Sequence, residues 1–83
     1  MIMIKAQSST IKEYGFEMTN AGAQVGTLRV IFNNGGTYEF DAVPASTFDA
    51  MSKEKSKGKF FGQFIRGKFN TRKIEITDQG GKK

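Results

Sequence analysis

The residues with most to offer a partner are the cations between Lys53 and Lys73. Eight stand there (Lys53, Lys55, Lys57, Lys59, Arg66, Lys68, Arg72 and Lys73) against one anion, Glu54, so the segment carries +7 while the chain as a whole carries +5. The remainder is therefore weakly acidic. Charge of one sign gathered in one stretch attracts an oppositely charged surface, either a nucleic-acid backbone or an acidic protein face. The plainer alternative is a solvated face that keeps the protein soluble. At the head of this stretch, Ser56-Lys57-Gly58-Lys59 opens a helix, where free N–H groups and flanking lysines favour an anion. An ordinary N-cap turn is the competing explanation.

Catalytic chemistry is not legible. The 83 residues include no histidine and no cysteine, which removes the usual general base, the commonest metal ligand, thiolate metal sites and disulfides. Glu39 and Asp41 are about 7 Å apart on one strand, a spacing that alternation imposes on any such pair, and read as a solvated face. Ser56 and Lys59 have the Ser-x-x-Lys spacing of serine acylases without the further partners that chemistry needs. Gly35-Gly36 and Gly80-Gly81 lack the strand-to-helix setting of a phosphate loop. The expectation is a non-enzymatic binding protein with no cofactor, no metal and no small-molecule substrate.

The elements that must position the cations follow from periodicity. Tyr14, Phe16 and Met18 alternate with Glu13, Gly15 and Glu17, and Leu28, Val30 and Phe32 alternate with Arg29 and Ile31, so strands are predicted over Glu13–Met18 and Thr27–Phe32 with a loop over Asn20–Gly26 between them. Asn33-Asn34-Gly35-Gly36 tolerates the positive φ of a tight hairpin. A third strand, Thr37–Val43, is predicted to turn Tyr38, Phe40 and Ala42 inward and Thr37, Glu39 and Asp41 outward. After Val43 the period changes to that of a helix: Pro44 suits a first turn, and Pro44, Phe48 and Met51 share a stripe that runs to about Lys53.

A second helix follows the break at Ser56 and Gly58. Phe60, Phe61, Phe64 and Ile65 fill one arc, Lys59, Gly62, Gln63 and Arg66 the other, and Gly67 suits the C′ position. Lys59 and Arg66, two turns apart, are predicted to point the same way. Eight Phe and two Tyr supply most of the burial available to so short a chain, so the aromatics are expected inward, with one of Phe60 and Phe69 at the edge of the arc for stacking. Either terminus offers an edge strand, Met1–Ala6 through Ile2 and Ile4 or Arg72–Thr77 through Ile74 and Ile76. Residues 78–83 read as a frayed tail.

The entry Val43-Pro44 into a helix bearing Phe48 and Met51, then Ser56-Lys57-Gly58-Lys59-Phe60-Phe61, then Ile65-Arg66, closely resembles the KTSC domain, named after the C-terminal domain of some lysyl-tRNA synthetases. The central Tyr-x-Tyr motif of that family is similar to Tyr38-Glu39-Phe40, with Phe at the second position. Ser8-Ser9-Thr10-Ile11 leading to Gly15-Phe16-Glu17 resembles its opening turn and first strand. The resemblance covers residues 8–69, the core of a single domain over 1–83. Two departures stand out: the loop Asn20–Gly26 is longer than usual, and Gly62 occupies a position where Asn is common. The resemblance implies a free-standing small domain of bacteria or their phages, for which RNA binding has been suggested.

The expected architecture is α+β: a three-stranded antiparallel β-meander followed by two short helices packed on one face, with an extra edge strand from a terminus. The expected function is nucleic-acid binding, RNA favoured, through Lys55, Lys57, Lys59, Arg66, Lys68, Arg72 and Lys73. The alternative is a phage or bacterial accessory protein that binds a host or partner protein through the same surface. No apolar run approaches the roughly 20 residues of a membrane span, and the Met1–Ile4 stretch is too short for a signal peptide, so a cytoplasmic location is expected, that of the bacterial host if the gene is a phage's. Attachment to a membrane surface through Lys59 to Arg66 competes with the core for the same phenylalanines.

Overall fold

The computed structural model describes residues 2–19 and 24–74. Five strands form one antiparallel sheet in chain order: β1 (Met3–Lys5), β2 (Ile11–Met18), β3 (Val25–Phe32), β4 (Thr37–Pro44) and β5 (Thr71–Ile74). Helix α1 (Ala45–Lys53) and helix α2 (Lys57–Phe60), the latter continued by a π-turn (Phe61–Ile65), connect β4 to β5. The α+β class agrees with the sequence, but the sheet has five strands where a three-stranded meander with one extra edge strand from a terminus is expected. Both termini supply an edge. β1 and β5 have three and four residues, overlap the two terminal stretches whose alternating isoleucines offer an edge strand, and both form because β2 and β4 present unpaired backbone groups to them. The tail over 78–83 lies outside the described residues.

The three long strands match the alternating runs, extended by one to two residues, and two bulges adjust which side chains face the core. In β2 the register against β3 slips by one between Ile11 and Glu13, which brings both Ile11 and Tyr14 inward, 0% and 3% exposed. In β4 it slips between Phe40 and Val43, opposite Gly26 and Leu28. Ala42 takes the strained position there, with φ 56. The expectation that Ala42 faces inward is therefore corrected: the extra residue turns Ala42 to solvent and delivers Val43 to the core.

The hairpin over Asn33–Gly36 closes as read from sequence, with Phe32 N–H donating to Gly36 O at 2.8 Å and Gly36 N–H to Asn34 Oδ1 at 2.9 Å. Pro44 is the last residue of β4 and the N-cap of α1, its φ of −61 suiting both roles. Helix α1 lays Met51 fully into the core, and Phe48 stacks on Phe16 at 4.9 Å between ring centres. The buried cluster comprises Ile11, Tyr14, Leu28, Val30, Phe40, Val43, Met51, Phe60, Phe61 and Ile65, all between the helices and one face of the sheet. Among the described residues no helix is long and apolar enough to cross a membrane.

Candidate functional site

The second helix departs from its expected wheel. Arg66 N–H donates to Phe61 O at 2.9 Å, an i to i+5 bond that puts one more residue into the turn than an α-helix holds. Phe61 and Ile65 stay inward, and Phe64, expected in the apolar arc, rotates out to 54% exposure, touching only Phe60 among the rings, at 4.8 Å. Neither Phe60, buried, nor Phe69, packed against the core, is the open ring. Lys59 and Arg66 are likewise no longer two whole turns apart. Lys59, Gly62, Gln63 and Arg66 are all exposed, as their share of the wheel implied, and Gly67 adopts φ +74, the left-handed C′ conformation that ends the helix.

The helix entrance is built for packing. Ser56 Oγ accepts from Lys59 N–H at 3.4 Å, a long N-cap bond. Gly58 lies so close to the opening turn that a Cβ there would sit 3.1 Å from Thr10 Cβ and Oγ1. That turn is itself tied: Ser8 Oγ accepts from Thr10 N–H at 3.0 Å, and Asn33 Nδ2 donates to Ser8 O at 3.0 Å. Ser8, Gly58 and Ser56 thus join α2, the opening turn and the β3–β4 hairpin. Lys57 is committed as well, its ammonium donating to the Ser52 carbonyl at 3.2 Å and to the Glu54 carbonyl, and standing 5.9 Å over the Tyr14 ring.

Strand alternation divides the adjacent cations of β5. Lys73 pairs with Tyr38 and Arg72 with Glu39 across the β4–β5 ladder, so Lys73 falls on the helix-bearing face and Arg72 on the other. On that other face, Glu39 lies between Arg29 and Arg72 in consecutive strands. Arg29 Nε donates to Glu39 Oε2 at 2.8 Å, and Arg72 Nη2 lies 3.2 Å from Glu39 Oε1 and 2.7 Å from Asp41 Oδ1. The hydrogen bond to Asp41, followed by its charge, raises the Arg72 pKa above its ordinary value. The expected solvated acidic face is corrected here: Glu39 is 8% exposed and Thr37 4%, because β5 and the two arginines cover them.

Lys55, Lys59, Arg66, Lys68 and Lys73, unlike Arg72 and Lys53, form no ion pair among the described residues. Two of them, Lys55 and Arg66, border hollows on different flanks. Lys55 and Lys57 join Lys5 around a hollow of about 470 Å³ on the β1 side. Toward β5, Arg66 borders a cleft of about 480 Å³ between the π-turn and the β3–β4 hairpin. Its walls include Phe32, Tyr38, Phe40 and Phe61, with Thr10, Asn34 and Thr71 as polar groups. The rings meet edge to face, Phe32 on Tyr38 at 5.6 Å and on Phe61 at 5.2 Å, and Phe40 on Phe61 at 5.4 Å. Sequence reading found the rings as core and Arg66 as a cation. It missed that they share a concavity, since only the sheet register brings residues 32 to 40 beside residues 61 to 66.

Comparison with known proteins bears on the same residues. The sequence model of the KTSC domain family matches residues 7–69. The crystal structure of a KTSC domain protein from Yersinia pestis superposes with a TM-score of 0.78 at 32% identity, covering 89% of this chain and 97% of that one. Lysine–tRNA ligases of Trichormus variabilis and Nostoc punctiforme are 37% and 34% identical over 67 residues, 81% of this chain in each case. The chain spans only 11% of the length of those ligases.

Proposed function

This chain belongs to the KTSC domain family, and from that premise we propose that it is a non-enzymatic domain that binds nucleic acid, RNA first, through the basic surface on the helix-bearing side. The observation that carries the reading is the separation of charge by face. Apart from Lys57, whose ammonium is spent on backbone carbonyls, five cations of the Lys53–Lys73 stretch have no ion pair among the described residues, whereas Arg72 is held by Glu39 and Asp41 on the opposite face. Unpaired cations release counterions on meeting phosphate, which is the main source of affinity for a polyanion. The relatives named lysine–tRNA ligases are named for a tRNA substrate, which favours RNA, and the small share of them that this chain spans carries none of the ligase reaction to it.

The absence of catalysis is part of the proposal. Ser56 Oγ is engaged as an N-cap, Glu39 is engaged by arginines, and the sequence holds no histidine or cysteine to act with them. The reading also carries a cytoplasmic location, where RNA is met.

The test is a titration of labelled single-stranded RNA at several salt concentrations. If about six phosphates are contacted, affinity falls by decades between ~50 and ~200 mM salt. Undiminished binding at the higher salt sinks the reading. Capture from a bacterial lysate with and without nuclease gives an independent check, because a partner that persists after nuclease treatment is a protein.

A further inference from the structure

We infer that the cleft between the π-turn and the β3–β4 hairpin holds one unpaired base of the bound strand, with Arg66 at the rim facing that nucleotide's phosphate. The inference deepens the nucleic-acid reading and rests on it. Three features of the cleft point to such an occupant. Its volume, about 480 Å³, falls in the range of roughly 300–1,000 Å³ typical of small-ligand sites and is too small for a helix or a duplex. Its walls are aromatic, and the half-buried Phe32 and Tyr38 keep part of their rings open while Phe40 and Phe61 lie deeper, 3% and 8% exposed. A base has a π-face for such rings whatever its identity. Its remaining groups are the amide of Asn34, the hydroxyls of Thr10 and Thr71, and the guanidinium of Arg66, suited to base edges and to a phosphate.

Gly62 strengthens the case. It lies on the lip of the cleft, and a Cβ built there would meet nothing within 4 Å. The folded chain does not itself require a glycine at this position, whereas an occupant of the cleft gains from the space. Only an unpaired base can enter, because bases in an A-form duplex are stacked and paired, and unpaired ones can splay outward.

The experiment compares a short single-stranded RNA with an abasic strand of equal phosphate number, titrated by fluorescence anisotropy. The parent protein is expected to prefer the base-bearing strand about tenfold, the order of one stacked base. Gly62→Phe adds a ring at the lip of the cleft from an unobstructed position, so it is expected to narrow the entrance and bring that ratio close to one with an unchanged salt slope and no loss of thermal stability. Tyr38→Leu removes a wall without filling the space, and covers the case in which Gly62→Phe does not fold; the same loss of preference is expected. Phe64 is not a cleft residue, so Phe64→Leu is expected to keep the preference.

A preference that survives both cleft variants, or that vanishes with Phe64→Leu alone, overturns the inference and leaves nucleic-acid binding standing. No preference in the parent, with both strands bound, does the same. Failure of the parent to bind either strand instead removes the nucleic-acid reading beneath it. A nucleoside monophosphate that displaces the strand at equal concentration makes the ligand a free nucleotide and overturns the assignment to a strand.

Discussion

The two faces of the sheet use the same kinds of side chain to opposite ends. On the face without helices, Arg29 and Arg72 close on Glu39, and Arg72 also holds Asp41. On the helix-bearing side, Arg66 and five lysines of the Lys53–Lys73 stretch have no ion pair among the described residues, and of these only Lys57 is spent on backbone carbonyls. A count of charges along the chain cannot tell these apart, since Arg72 and Lys73 are neighbours in sequence. The β4–β5 ladder separates them, giving one to a carboxylate cluster and the other to the side that bears the cleft. Availability of charge is thus a property of register.

The largest effect is expected on the helix-bearing side, where apolar burial does the holding. Ile65 is fully buried at the end of the π-turn. Ile65→Ala is expected to cost about 2–5 kcal/mol, the transfer of the lost methylenes plus a residual cavity. Urea denaturation measures it, and a loss under ~1 kcal/mol would show that the π-turn packs loosely. On the open face the expected effect is smaller. Glu39→Gln keeps the shape, weakens the charge-assisted bonds to two partly solvated arginines, and is expected to cost about 1–2 kcal/mol in the same assay.

Much of this contrast was within reach of the sequence. Alternation gave β2, β3 and β4 because one face of each is buried, and the helical arc gave Phe60, Phe61 and Ile65. The rest depends on contacts between distant residues. Ala42 looked inward because an unbroken period was assumed, and a bulge is invisible to periodicity. Glu39 looked solvated because the alternation over Arg72–Thr77 offers an edge strand without naming its partner, and it is the pairing of β5 with β4 that brings Arg72 across. Phe64 looked buried because one π-turn changes the period from that of an α-helix. Each miss traces to a single extra residue or to an edge strand whose partner its own pattern does not name, and the cleft could be seen only after all three were in place.

Two further variants act by fractions of the preceding costs. Gly62→Ala is expected to stabilise the protein by about 0.5–1 kcal/mol, because helical glycine carries an entropic penalty and nothing obstructs the new methyl. A raised thermal midpoint checks it; a lowered one would mean the lip is tighter than its geometry shows. Tyr14→Phe is expected to be nearly silent at neutral pH and to matter only in alkali. Burial raises the Tyr14 pKa above its ordinary value near 10, so the neutral phenol is favoured in the folded state. The stability this gives is intact below pH ~10 and is lost as pH rises through the folded-state value. The parent should therefore weaken in alkali more than Tyr14→Phe does, as denaturation midpoints across pH will show.

The smallest expected effect is the most discriminating, because it concerns what a cation already paired cannot do. Arg72→Gln and Arg66→Gln each remove one positive charge from the same stretch. If phosphate is met on the helix-bearing side, Arg66→Gln lowers the slope of log affinity against log salt by about 0.7 for a single strand, one contact's worth, and Arg72→Gln leaves it unchanged. The slope is the right observable. Arg72→Gln also leaves Glu39 and Asp41 less compensated, and their field can reduce affinity slightly through the protein, although at ~0.15 M salt it is screened beyond about 8 Å. Such a field changes affinity without changing the number of counterions released at a contact. A slope that falls with Arg72→Gln and holds with Arg66→Gln would place the strand on the open face, where phosphate displaces carboxylates from the arginines, and would reverse the roles of the two faces.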